Sequence, residues 1–317
     1  MPDSLEILLP GMLSTIQDAG RVGLQASGFP PGGAMDLPAM RMANLLVGNS
    51  MDMPALEMTM SGVTAIFGCD AHFALTGADF CASLGDVPVH TYRAYRARAG
   101  DELHCGNASP GCRGYLAIAG GFDIEPVLGS CSTNLKCGIG GYAGRALRAG
   151  DVLPLQCPEA PVARLEERRR PVPEYSSRIS LRAVPGPQDS MFTPEGIAAF
   201  YGGWYAVTAA SDRMGIKLEG AKIAAHGGSD IVSDGIAAGS VQVPAGGQPI
   251  VLMADRQTTG GYAKIATVIS ADLPLLAQAR PGDYVRFARV SVKEAQDIYR
   301  REAKELRELE RAFEGLG

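Results

Sequence analysis

Apolar positions along the chain come in short runs broken by glycine and proline, a spacing that suits strands better than helices. Leu5–Leu9 reads as a first strand, ended by Pro10-Gly11. Ala55–Met60, Val63–Phe67, His72–Thr76, Val87–Tyr92, Glu102–Cys105 and Arg113–Ala119 follow. They recur roughly every ten residues with glycine between them, which predicts an all-β barrel or sandwich. Ile179–Val184 and Tyr205–Ala209 add strands farther on. Ser240–Val243 and Pro249–Ala254 are expected to form a hairpin around Pro244-Ala245-Gly246-Gly247, with the β-branched run Lys264–Ser270 as a third strand. Pro249–Ala254 is apolar on both faces, as a strand inside a barrel or sandwich is.

Helices are few. Asp36 is placed to N-cap a helix with Pro38 in its first turn, apolar at Leu37, Met40, Leu45 and Leu46, and ended by Gly48-Asn49. Thr193-Pro194 opens a short one reaching Phe200. Val292–Phe313 carries Ala295, Ile298, Ala303, Leu306, Leu309 and Phe313 near helical spacing, with Glu and Arg between them, and is expected to pack on the body or on a partner. Ala99-Gly100-Asp101, Ala149-Gly150-Asp151 and Pro281-Gly282-Asp283 repeat one pattern: a turn leading into a strand, with Gly at positive φ and Asp bonding the backbone two residues on. The recurrence suggests repeated barrel-like halves. The expected organisation is a β-rich domain over 1–157, a second β domain over 179–291 and a C-terminal helix over 292–317. Residues 158–178, rich in proline and charge, form a linker or crossing in which Arg168-Arg169-Arg170 face solvent beside Glu166 and Glu167.

Composition narrows the function. A net charge of -5 with 20% charged residues leaves no electrostatic footprint for nucleic acid. The seven cysteines contain no CxxC, so zinc and thioredoxin-like readings fail and no metal is expected. No uncharged apolar run approaches the ~20 residues of a membrane span, and the N-terminus lacks a basic, then apolar leader. A soluble, cytoplasmic protein with reduced thiols is expected.

P-loop, GxSxG and HExxH patterns do not occur, and the four histidines are scattered singly. Gly138–Gly144 looks superficially like a dinucleotide loop but has the wrong spacing, and a close-packed turn is the better reading. Chemistry must then fall to Asp, Lys, Arg, Thr and backbone amides. Asp255 and Arg256, followed by Thr258-Thr259-Gly260-Gly261, offer a carboxylate, a cation, hydroxyls and N–H groups able to form an anion-binding nest, with Lys264 opening the next strand. Ser211-Asp212-Arg213-Met214-Gly215 adds a second Asp/Arg pair. The alternative is two structural ion pairs that pin loops.

TIQDAGRVGLQASGFPPGGAMD, ANLLVGN, ALEMTMSG, ALTGAD, YLAIAGG, GSCST, GGYAGR, SDRMGIKLEG, SDGI, VQVPAGGQPIVLMADRQTTGGYAKIATVISADLP and PGDYVRF together resemble the biotin-dependent carboxyltransferase family, also called allophanate hydrolase subunit 2 or the Kip-inhibitor antagonist family. The resemblance runs in consistent order over roughly residues 5–292. It implies a cyclophilin-like β fold and work alongside two partner proteins, similar to the B and A subunits of 5-oxoprolinase. The implied activity is one polypeptide's share of an ATP-dependent 5-oxoprolinase, which opens 5-oxo-L-proline to L-glutamate with ATP as co-substrate of the complex. The rival implications are carboxyl transfer from carboxybiotin to a urea-like nitrogen, or non-enzymatic antagonism of a Kip-inhibitor-like partner. Laid on the residues above, the candidate catalytic groups are Asp255, Lys264 and Arg213. The candidate substrate-binding residues are Ser211, Asp212, Met214, Gln242, Arg256, Thr258, Thr259, Gly260 and Gly261. The two motifs are expected to build one pocket.

Overall fold

The computed structural model describes residues 3–156, 158 and 160–316. Cys157, where the first domain was expected to end, lies outside the described residues; the other six cysteines are free thiols. The chain is mainly β and divides into two compact units. One comprises Met1–Arg21, Gly32–Tyr175 and Leu306–Gly317; the other comprises Val22–Pro31 and Ser176–Glu305.

In the first unit the strands are β1 (Ser4–Leu9), β2 (Leu13–Gln17), β3 (Ala55–Thr59), β4 (Thr64–Phe67), β5 (Ala71–Gly77) and β6 (Ala82–Leu84). β7 (Val87–Val89), β8 (Arg93–Ala97), β9 (Glu102–His104), β10 (Arg113–Ile118) and β11 (Val152–Pro154) complete the set. They form a sheet ordered β11-β1-β4-β9-β6-β7 and a second ordered β2-β3-β10-β5-β8. Leu5, Ile7 and Phe67 of the first sheet share one core with Leu56, Phe73 and Leu116 of the second. The second sheet is covered on its other face too. Along β10, Leu116 and Ile118 enter the shared core, while Tyr115 and Ala117 meet helix α1 (Leu37–Leu46) through Met40 and Leu46. A strand buried on both faces loses polar alternation, which is why this run reads as uniformly apolar. Asp36 caps α1 as expected, its carboxylate accepting the Ala39 N–H at 3.1 Å.

The second unit contains β12 (Arg178–Pro185), β13 (Tyr205–Val207), β14 (Gly215–Glu219), β15 (Asp230–Gly235), β16 (Ser240–Gln242), β17 (Ile250–Leu252), β18 (Thr259–Tyr262), β19 (Lys264–Val268) and β20 (Tyr284–Arg289). Seven of these close into a barrel in the order β12-β19-β16-β17-β14-β13-β20, with β12 and β20 parallel and the other paired strands antiparallel. The barrel interior is filled by Leu181, Tyr205, Val241, Val251, Ala266 and Val285, all fully buried. β15 and β18 pair apart from the barrel as a two-stranded ribbon. Helix α2 (Pro194–Gly202) is capped by Thr193, as its Thr-Pro start predicts. Helix α3 (Leu273–Ala277) follows β19, and α4 (Val292–Glu314) follows β20.

The three glycine turns take one geometry. Gly100, Gly150 and Gly282 have φ of 89°, 86° and 94°. Each glycine N–H donates to a carbonyl of a neighbouring strand residue, Phe67, Ile7 and Val207 respectively, whose own N–H donates to the carbonyl of the turn's Asp. The Asp side chain accepts not from a residue ahead but from the arginine N–H three residues behind, at 2.8, 2.8 and 2.7 Å. Asp at that position therefore fixes the approach to the turn as well as its exit.

The charged segment after residue 158 departs from expectation. Ala160, Val162 and Leu165 pack against the α1 core of the first unit. Arg168, expected in solvent, is 4% exposed; its guanidinium donates to the carbonyls of Ala163, Leu45 and Phe313 and stacks 5.8 Å from the Phe313 ring. The surrounding Pro/Arg/Glu composition disguises one arginine spent on backbone carbonyls. The final turns of α4 belong to the same core through Leu306, Leu309 and Phe313, so this helix packs on its own chain.

Candidate functional site

The chemistry-bearing residues of the second unit gather around the β15–β18 ribbon. Thr259–Tyr262 is extended and pairs with β15, with Asp230 opposite Tyr262, Asp234 opposite Gly260 and Gly235 opposite Thr259. The anion nest expected at Thr258–Gly261 is therefore replaced by a ladder, because these N–H groups lie along a strand and do not curl round one point. β15 carries two more residues than β18 between those pairs, a bulge that pushes Val232 to 93% exposure and redirects Asp234.

Redirection brings Asp234 to Lys264. The Lys264 ammonium sits 2.8 Å from Asp234 Oδ2 and 3.2 Å from the Gly235 carbonyl. The residue is 2% exposed. Gln188 reinforces the pair: its Oε1 accepts the Lys264 N–H at 3.2 Å and its Nε2 donates to Asp234 Oδ2 at 3.2 Å. Gly186, just before it, has no room for a Cβ because the Lys264 carbonyl occupies that space. The hydrogen bond from Lys264, then those from the Gly235 N–H and Gln188, hold the Asp234 carboxyl below its ordinary value of 3.8. Arg256, 8% exposed, donates to the carbonyls of Ile236 and Met253. Two buried cations thus take the consecutive carbonyls Gly235 and Ile236. Burial pushes the Arg256 guanidinium down from its usual range. Gln242, on the barrel strand beside Lys264 and paired with it in register, is 3% exposed and donates to the Tyr262 carbonyl at 3.4 Å.

Arg213 and Asp255 meet each other, Nε to Oδ2 at 2.8 Å and Nη2 to Oδ1 at 3.1 Å, a bidentate fork 5% and 12% exposed. The Asp255 N–H also donates to the Arg213 carbonyl at 2.9 Å, so this fork ties Ser211–Gly215 to the head of the loop leading into β18. Ser211 exchanges hydrogen bonds with the Lys217 backbone, and Asp212 Oδ1 accepts the N–H groups of Met214 and Gly215. The two sequence motifs, expected to build one pocket, meet in the buried Arg213–Asp255 ion pair, whereas Lys264 has Asp234 as its partner. Asp234 and Gln188 were missed by residue-level reading. Asp234 stands in SDGI, a run already singled out by resemblance, which was the available signal.

In the first unit, Gly138–Gly144 is the close-packed turn expected: added Cβ atoms at Gly140, Gly141 and Gly144 would strike Ser132, Thr133 and Gly138. Asp18 there accepts from Ser130 Oγ, Ser132 Oγ and the Cys131 N–H at 2.7, 2.5 and 2.6 Å, which knits TIQDAGR to GSCST. Among the described residues no group of three or more His, Cys, Asp or Glu is arranged to hold a metal, and no helix is long and apolar enough to cross a membrane.

A closed barrel bearing a buried lysine, two glutamines and a bulged ribbon, joined in one chain to a two-sheet unit, defines the class. The family model for the carboxyltransferase domain, subdomain A and B, matches residues 27–289, and the chain belongs to that family. It is 43% identical over 291 residues to the C subunit of 5-oxoprolinase from Escherichia coli, covering 92% of this chain and 93% of that one. It is 41% identical to the C subunit of 5-oxoprolinase from Haemophilus influenzae over 297 residues, covering 94% of each. Among solved structures, the urea amidolyase of K. lactis superposes with a TM-score of 0.90 at 31% identity, over 97% of this chain and 20% of that one.

Proposed function

We propose that the chain is the C subunit of a multi-component, ATP-dependent 5-oxoprolinase that converts 5-oxo-L-proline to L-glutamate. The observation that carries this reading is identity above 40% with two proteins of that name over nine-tenths of both partners. The chemical problem is an unreactive lactam carbonyl. Phosphoryl transfer from ATP to its oxygen, with ADP leaving, makes the carbon electrophilic; water then adds to it, the ring C–N bond breaks and phosphate departs. ATP is a co-substrate of the assembled complex, and this sequence carries no P-loop to hold it. The contribution of this chain is the site at the ribbon. Lys264, held by Asp234 and Gln188, supplies a desolvated positive charge for an anionic group of the substrate, and Arg256 adds a second. Arg213 and Asp255 brace the loop that carries Arg256. The expected compartment is the cytoplasm.

The likeness to K. lactis urea amidolyase favours one rival, transfer of a carboxyl group from carboxybiotin to a urea-like nitrogen. The deciding experiment is an assay of the purified chain, alone and mixed with its B-like and A-like partners, for glutamate release from 5-oxoproline and ATP. Turnover by the mixture and none by the chain alone is expected. Turnover by the isolated chain would sink the proposal of a shared enzyme, and carboxylation of urea by a mixture containing carboxybiotin would select the rival.

A further inference from the structure

Two buried polar groups at the ribbon, Lys264 and Gln242, have unused hydrogen-bonding capacity. The Lys264 ammonium has three N–H donors and meets two acceptors, Asp234 Oδ2 and the Gly235 carbonyl. Gln242 uses one N–H on a long bond to the Tyr262 carbonyl; its Oε1 and second N–H have no protein partner among the described residues. The exposed Gln257 also brings its Nε2 near: a Cβ added at Gly260 would lie 2.7 Å from both Gln242 Nε2 and Ile236 Cδ1 and 3.0 Å from Gln257 Nε2. Gly260 has ordinary extended geometry in a strand, so backbone freedom does not require glycine there. What glycine does is leave the Gln242 carboxamide its room. The open valences of this carboxamide and ammonium are free to be taken by a small polar ligand.

The shape of the open valences limits the ligand to one whose N–H and C=O lie on the same side. A primary carboxamide presents an acceptor and a donor side by side, the complement of a cis amide, whose N–H and C=O point the same way. Among secondary amides only a ring holds that edge, because the open-chain form is trans; simple primary amides and urea share it but carry no carboxylate for Lys264. A lactam therefore closes two hydrogen bonds with Gln242: lactam N–H to Oε1, and Nε2–H to the lactam carbonyl. Lys264 lies on the neighbouring strand in register with Gln242, one hydrogen bond from Asp234, which itself stands opposite Gly260. Its third N–H is left for a second, anionic group on the same small molecule.

We infer that Gln242 is the specificity-determining residue of this site, reading the cis amide of a lactam carboxylate while Lys264 binds the carboxylate. The inference deepens the proposed function and rests on it for the identity of the lactam. An open-chain secondary amide or a saturated amino acid fails at Gln242; a lactam, primary amide or urea without a carboxylate fails at Lys264.

The test uses the reconstituted complex and measures binding of 5-oxo-L-proline, N-methyl-5-oxo-L-proline and L-proline by calorimetry. N-Methylation removes the ring donor and L-proline removes the carbonyl. In the wild-type complex each change weakens binding at least about tenfold, the loss of one buried hydrogen bond. Gln242→Met weakens 5-oxoproline by a similar factor and abolishes the discrimination against the N-methyl analogue; Lys264→Met weakens both lactams equally and keeps the discrimination. Gly260→Ala, which crowds the Gln242 Nε2, serves as the second variant should Gln242→Met fold poorly, and it too loses the discrimination. The inference is overturned if the wild type binds the N-methyl analogue or proline as well as 5-oxoproline, if it binds none of them, or if the variants at Gln242 and Gly260 still discriminate. Failure of the functional reading looks different: a complex that binds lactams with this pattern but does not turn them over with ATP retains the Gln242 site and refutes the oxoprolinase assignment. Turnover with an unchanged KM in Gln242→Met does the reverse.

Discussion

At the scale of single residues, the site separates charges that work against solvent from charges that hold loops. Arg213 and Asp255 are locked to each other by two hydrogen bonds in a buried setting. Lysine at 213 would keep the charge but lose the planar fork, leaving Asp255 half-satisfied. Arg213→Lys is expected to lower unfolding stability by about 1–3 kcal/mol, read by denaturant titration. Unchanged stability with lost turnover would instead return Arg213 to the catalytic set. Asp234 is the opposite case, an exposed carboxyl whose buried partner sets its behaviour. Its folded value lies below the ordinary 3.8, so the ion pair is intact above that range and is lost only as pH falls through the depressed value. Carbon-detected NMR titration should give a midpoint below 3.8, and Lys264→Met should move it upward. A midpoint that does not respond to that substitution would remove Lys264 as the cause. Neither partner assignment was visible in the residues alone, since Asp234 and Lys264 are 30 positions apart and only the bulge in β15 turns one toward the other.

At the scale of elements, most strands were legible because glycine and proline punctuate apolar runs. Those that were not legible failed for physical reasons. β2 buries Ser14, Thr15 and Gln17, polar residues that look solvent-facing until their partners across the fold, such as the Thr133 carbonyl for Gln17, are known. β8 (RAYRA) hides its strand character under two arginines, one paired with Asp70 and one with Glu166. β18 is short and half glycine, so it reads as loop until β15 is there to pair it. Arg168 was obscured by its own neighbourhood: in a run of like charges nothing marks the member that turns inward. There it satisfies carbonyls at the C-terminal ends of two helices, Leu45 of α1 and Phe313 of α4, where a positive charge also meets the favourable end of each helix dipole. Arg168→Met should therefore cost about 2–4 kcal/mol, while Arg169→Met, whose side chain is exposed, should cost almost nothing. Equal effects of the two in a thermal melt would reject the capping role.

At the scale of the whole molecule, the all-β reading, the barrel and the C-terminal helix were available from pattern and resemblance, whereas the interleaving of the two units was not. Pattern sees neighbours along the chain, and nothing near Phe313 in sequence marks it for the α1 core. That arrangement has a consequence during synthesis. The first unit is translated almost entirely before the second, yet Leu306–Leu316 belongs to its core and must wait for Ser176–Glu305 to be made. At roughly 5–20 residues per second that interval is on the order of ten seconds. Through that interval the nascent chain carries an apolar groove beside α1 with Arg168 uncovered, open to chaperones and to the wrong neighbour on a crowded polysome.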